Sequence, residues 1–219
     1  MDNFATVLDF DRLLATPVVS DPFPHVVVRN FVRSALMTEV AAALPEIGAR
    51  GSVPVEAVRF GPMAAKLIGE MQSSALRQAI ADKFELDLSD APAMITVRGQ
   101  TTARDGQIHR DSAAKRVTIL LYLNPTTAAW ARQEGCLRLL RGPDNLEDYA
   151  IEVPPVDGTL LVFPNGANTW HGHKPYSGRR FTVQLNYMTT DAHARYEMRR
   201  HRISAFFKRL TAHPVPRTT

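Results

Sequence analysis

The chain has 219 residues, 45% of them hydrophobic, enough for one well-buried domain with at most a helical appendage. Its one cysteine, Cys136, excludes an intrachain disulfide. No stretch reaches the roughly 18–20 apolar residues that span a bilayer, and the start MDNFATVLDFDRLL has no basic-then-apolar leader, so a cytoplasmic setting is expected. The net charge of +4 is concentrated in a tail: from Asp191 onward seven Arg and Lys face two acids, giving +5 and leaving residues 1–190 at −1. A body so close to neutral argues against a nucleic-acid-binding face.

In chain order, residues 21–32 (DPFPHVVVRNFV) read as a turn feeding a short β-branched strand. Ser34 is placed to N-cap a helix reaching about Leu44, with Pro45 ending it. Met63, Leu67, Ile68, Met71, Ala75, Leu76, Ile80 and Phe84 recur at helical spacing and predict a helix over 63–84. From about Met94 the pattern changes to short apolar runs broken by Gly, Pro, Asn and Asp: 94–98, 107–111, 116–123, 136–140, 149–153, 159–163, 167–171 and 180–188. Eight short strands after a helical N-terminal third predict a mainly β fold with flanking helices, its core a double-stranded β-helix, or jelly roll. The expected organisation is one domain over 1–190, with helical support to about residue 90 and the core over about 94–190. A basic amphipathic C-terminal helix and tail follow over 191–219. Within 192–211, Tyr196, Ile203, Phe206, Phe207 and Leu210 form an apolar stripe under an arginine-rich face.

Chemistry enters at His109-Arg110-Asp111. His109 and Asp111 are two apart, so in extended chain both side chains leave the same face. The pair follows the turn signal Asp105-Gly106 and precedes the strand RVTILLYLN, which puts it at a strand mouth. WHGH at 170–173 offers a second imidazole, and extended geometry puts His171 and His173 on one face. Two imidazoles and one carboxylate hold one face of an octahedral ion and leave the opposite positions open, the arrangement of non-haem Fe(II) oxygenases. A metallohydrolase could use the same ligand types, but the HExxH pattern of zinc proteases is absent. A non-catalytic roll that senses metal or a small acid would keep the ligands and lack turnover.

Strand parity adds a second constraint. In RFTVQLNYM, Arg180, Thr182, Gln184 and Asn186 share one face, and Phe181, Val183, Leu185 and Tyr187 the other. In 116–123, Val117, Ile119, Leu121 and Leu123 oppose Arg116, Thr118, Leu120 and Tyr122. Closing such strands into a roll predicts a polar interior pocket with apolar faces under the helices. The planar fork of Arg180 suits bidentate binding of a carboxylate, and Tyr122 could add a neutral donor. Arg179 has the opposite parity and is expected in solvent.

Over about residues 94–190 the chain resembles the 2-oxoglutarate/Fe(II) dioxygenases, in particular the prolyl-4-hydroxylase-like group. The resemblance is carried by KRVTILLYLNP, QEGCLRLL and VPPVDGTLLVFPNGANTWHGHKPYSGRRFTVQLNY, with PFPHVVVRNFV similar to an N-terminal strand of that group. Glu134-Gly135 stands where many relatives have Gly-Gly. The resemblance implies His109, Asp111 and His171 as iron ligands, His171 being preferred to His173 because Arg180 follows it by nine residues. It implies Arg180, Tyr122 and Thr182 as the residues binding 2-oxoglutarate, with O2 as co-substrate and ascorbate as an optional reductant. The implied reaction yields succinate, CO2 and a hydroxylated product. The expected partner is a small or sugar-like molecule, which loops such as 99–107 and 124–135 could cover, with a prolyl-type protein hydroxylase as the alternative. No nucleic-acid partner and no transmembrane segment are expected, and no oligomeric state is specified.

Overall fold

The computed structural model describes residues 6–48, 50–192, 194–196 and 198–199. Helix α1 (Phe10–Ala15) is capped by the Asp9 side chain, which accepts from the Arg12 amide at 3.1 Å, and it buries Leu13. Strand β1 (Val26–Val28) is followed by a 3-10 turn at Ser34–Leu36 and helix α2 (Met37–Ala42). The helix expected from Ser34 therefore opens as a 3-10 turn, and Ser34 itself caps nothing. After β2 (Val53–Pro54), the periodic stretch 63–84 forms two helices, α3 (Pro62–Met71) and α4 (Ser74–Phe84). Ser73 divides them: its hydroxyl donates back to the Glu70 carbonyl at 2.7 Å and accepts from the Leu76 amide at 3.2 Å, ending one helix and capping the next. Pro62 sits at the first turn of α3, where its missing amide costs nothing.

Seven further strands follow: β3 (Ala93–Thr101), β4 (Lys115–Tyr122), β5 (Leu137–Leu140), β6 (Tyr149–Val153), β7 (Thr159–Pro164), β8 (His171–His173) and β9 (Gly178–Met188), with the short helix α5 (Ala128–Ala131) between β4 and β5. They form two antiparallel sheets, one ordered β1-β7-β4-β9-β3-β2 and one β6-β5-β8. This is the jelly-roll core with helices on one side. Two expected strands differ. The 107–111 run pairs only through an isolated bridge from His109 to His171, because the chain before it turns tightly, with Asp105 accepting from the Thr102 amide at 2.7 Å. The 167–171 run is a turn in which the Thr169 hydroxyl bonds Asn165 and Gly166, so the strand starts at His171.

The alternation on β4 and β9 partitions the interior. Val117, Ile119, Leu121, Phe181, Val183, Leu185 and Tyr187 join Leu67, Ile68, Met71, Leu76 and Ile80 of the helices in the main core. Tyr122, Leu137, Leu139, Val153, Leu161 and Phe163 form a smaller core between the sheets. The remaining polar side chains of the inner face line a cavity. Residues 192, 194–196 and 198–199 are helical, and the rest of the expected C-terminal helix lies outside the described residues. Among the described residues no helix is long and apolar enough to cross a membrane.

Candidate active site

His109 and His171 are brought together by the backbone before any side-chain interaction is considered. Each donates its amide to the other's carbonyl at 3.0 Å, and the rings lie 4.4 Å apart. Asp111 follows two residues on, and one ligand-type atom from each of His109, Asp111 and His171 falls within 4.8 Å of the others. The trio grades from exposed His109 to buried His171, so one side faces the cavity mouth.

The tautomer follows from the hydrogen bonds. His109 Nδ1 lies 2.8 Å from the Gln107 carbonyl and His171 Nδ1 lies 2.9 Å from the Thr169 carbonyl. A carbonyl only accepts, so Nδ1 carries the proton on both rings and Nε2 is left with its lone pair. Such anchoring of the distal nitrogen is how a ligating histidine is oriented. Burial holds the His171 pKa below its ordinary value, with neighbouring His109 adding to this against the opposing pull of Asp111. Burial alone would raise the Asp111 pKa, but the Lys115 ammonium, His171 and two hydrogen bonds outweigh it and keep the carboxylate ionised. Lys115 Nζ reaches Asp111 Oδ1 at 2.6 Å and the Thr118 hydroxyl donates to Oδ2 at 2.6 Å. Lys115 was not singled out in the sequence; its signal is the four-residue spacing from Asp111.

Deeper in the same cavity, of about 270 Å3, lie Arg180, Tyr122 and Thr182. Arg180 is only 6% exposed. Its Nε donates to the Gly135 carbonyl at 2.9 Å, its guanidinium lies 5.1 Å from the Tyr122 ring centre, and among the described residues it enters no ion pair. The Tyr122 hydroxyl and Thr182 Oγ1 are both buried with no hydrogen-bond partner. Burial is the main reason the Tyr122 pKa is raised, with Arg180 opposing. Gly135 adopts φ +68, and a Cβ there would come within 3.0 Å of Tyr176 and 3.1 Å of Trp130. Glycine thus lets the 124–135 segment close the Arg180 end of the cavity rather than its mouth.

His173 stands apart from the trio. Its Nδ1 donates to the Lys174 carbonyl at 2.8 Å, and its ring packs where a Cβ on Gly106 would sit, Gly106 being at φ +89. Burial, reinforced by Arg180, pushes its pKa down to about 4. Arg179 is exposed, as its parity predicts.

Residues 98–188 match the family model described as the 2OG-Fe(II) oxygenase superfamily. The chain carries a 2OG-Fe(II) oxygenase domain. No curated protein matches the chain. Among solved structures, a prolyl-4-hydroxylase of Pseudomonas putida aligns with TM-score 0.53 at 18% identity, covering 83% of this chain and 91% of that one. A prolyl 4-hydroxylase of Phytophthora capsici aligns with TM-score 0.55 at 16% identity, over 95% of this chain and 77% of that one. The viral collagen prolyl hydroxylase of Paramecium Bursaria Chlorella virus-1, solved with 2OG, aligns with TM-score 0.53 at 15% identity, over 79% and 99%. These three share the fold. The 2OG-Fe(II) oxygenase domain makes the protein a dioxygenase dependent on Fe(II) and 2-oxoglutarate. The residues present fit both: two imidazoles with free Nε2 and one ionised carboxylate suit Fe(II). A buried unpaired guanidinium beside two partnerless hydroxyls suits the far carboxylate of a dicarboxylic acid.

Proposed function

We propose that His109, Asp111 and His171 hold Fe(II), that Arg180, Tyr122 and Thr182 hold the distal carboxylate of 2-oxoglutarate, and that the enzyme hydroxylates a compact small-molecule substrate. The observation that carries the reading is convergence: all six residues line one cavity, and its inner end holds donors with nothing to donate to. When bound, iron, 2-oxoglutarate and O2 supply the oxidation, giving succinate and CO2 and placing one oxygen atom on the substrate. The chain's own residues do the rest. The Gln107 and Thr169 carbonyls hold both imidazoles in the tautomer that presents Nε2. Lys115 and Thr118 keep Asp111 ionised and aimed. Arg180 stays charged when desolvated and is steadied by Gly135 and the Tyr122 ring. Leu120 and Leu137 give the cavity apolar wall that limits water around the reacting groups.

The single-domain organisation over 1–190 and the cytoplasmic setting belong to the same proposal. A second reading, hydroxylation of a prolyl residue in a protein segment, is favoured by the fold shared with the three prolyl hydroxylases. Cell extract split by size decides between them. Succinate formation stimulated by the small-molecule fraction supports the first reading. Stimulation confined to the macromolecular fraction, with a protein residue gaining the mass of one oxygen atom, supports the second.

A further inference from the structure

A second cleft, of about 630 Å3, adjoins the first: His109, Asp111 and Lys115 line both spaces. Its wall carries Arg110, Trp170 and Asn165. Arg110 alternates with the ligand pair, so its side chain leaves the bridge on the other face. The guanidinium lies 4.7 Å from the centre of the Trp170 ring, and one terminal nitrogen donates to the Ala167 carbonyl at 2.7 Å. Among the described residues Arg110 enters no ion pair. The Asn165 amide is spent on the fold: Nδ2 donates to the carbonyls of Ser112 and Lys115, and Oδ1 accepts from Thr169.

The charge in this cleft does not balance. Two cations, Arg110 and Lys115, line it with one acid, Asp111, which Lys115 meets at 2.6 Å. With Lys115 committed to Asp111, Arg110 is left as a cation of this cleft that, among the described residues, has no acid beside it. The Arg110 fork is meanwhile held on an aromatic plate with donors to spare, the condition under which guanidinium binds carboxylate or phosphate best.

We infer that this cleft receives an anionic group of the substrate, a carboxylate or a phosphate ester on a small molecule, which Arg110 holds at the edge of the iron site while the rest of the molecule reaches past His109 and Asp111 into the first cavity. The inference rests on the proposed roles of His109, Asp111 and His171, and it adds the substrate's chemical class. Trp170 would cover the apolar part of the molecule while Arg110 fixes its charged end.

The test uses the full-length protein with Fe(II) and 2-oxoglutarate in the absence of oxygen, where the visible band of the chelated 2-oxo acid reports binding beside the metal. Three sets of small compounds are titrated: amino and hydroxy carboxylic acids, phosphate monoesters, and uncharged amides and alcohols of matched size. The expected result is that one of the anionic sets perturbs the band and the neutral set does not, with affinity falling as salt rises. Which anionic set responds identifies the group. Arg110→Gln is expected to weaken that binding by about tenfold or more, and Arg110→Lys by less. Neutral compounds binding as well as anions, no anion perturbing the band, or Arg110→Gln retaining full affinity would overturn the inference. Absence of the band before any compound is added would be a failure of the iron and 2-oxoglutarate assignment; a band that no anion perturbs is a failure of this inference alone.

Discussion

Replacing Arg180 by alanine removes a buried cation of the inner cavity that, among the described residues, has no acid beside it. In the proposed complex this leaves a desolvated carboxylate facing only the Tyr122 and Thr182 hydroxyls. Losing one partner of a buried, hydrogen-bonded charge pair costs about 2–5 kcal/mol. The two hydroxyls remain as neutral donors, which points to the lower half of that range. At about 1.4 kcal/mol per decade, 2-oxoglutarate affinity should fall at least roughly thirtyfold. Calorimetry of 2-oxoglutarate binding to Mn(II)-loaded protein, redox-inert in air, measures the loss directly. A 2-oxo acid of similar length without the second carboxylate completes the comparison: wild-type protein should bind it far more weakly than 2-oxoglutarate, and Arg180→Ala should barely distinguish the two. Metal affinity should change little, and thermal melting checks that the variant is folded. Unchanged 2-oxoglutarate affinity in a folded variant would refute the assignment and move the anchor to another cation such as Lys174, which the structure pairs with Glu147 at 3.4 Å.

Three other outcomes are expected. His171→Ala should abolish metal binding while His173→Ala keeps most of it, read by calorimetry with Mn(II); the reverse order would exchange their roles. Tyr122→Phe should weaken 2-oxoglutarate binding by about 0.5–1.5 kcal/mol, since it removes a neutral donor beside Arg180, and should leave Mn(II) affinity unchanged. Unchanged 2-oxoglutarate affinity in the folded variant would show that the hydroxyl takes no part in binding. Burial, with Glu152 adding to it, pushes the Cys136 thiol up to about 11, so the folded state disfavours the thiolate. Stability should then fall as pH rises from about 9 towards 11, by up to about 3 kcal/mol, and denaturant melts of Cys136→Ser should lack that component.

What was legible in the sequence was whatever depends on strand parity. The alternation of RFTVQLNYM assigns Arg180 and Thr182 to the cavity and Phe181 and Val183 to the core, because a strand admits only two faces. His109 and Asp111 converge for a related reason, although only His109 is paired and no strand forms around it. Helix breaks were less visible. The apolar spacing of 63–84 runs through Ser73, since the two helices pack against one core, and only the serine's capping geometry divides them. Helix α1 buries just Leu13, too little to leave a periodic signal. The Lys115 contact with Asp111 and the carbonyls that orient the imidazoles depend on the turns at 112–115, 102–105 and 165–169. Those turns follow from side chains bonding backbone, for which apolar patterning gives no sign.

The central claim is that one cavity of this chain binds iron and 2-oxoglutarate together. An anaerobic titration of the wild-type protein with Fe(II) and then 2-oxoglutarate tests it most directly. The expected result is a weak visible charge-transfer band that requires both components and is absent when His171→Ala replaces the wild type. Both components added, with no band and no heat of binding in the folded protein, would contradict it.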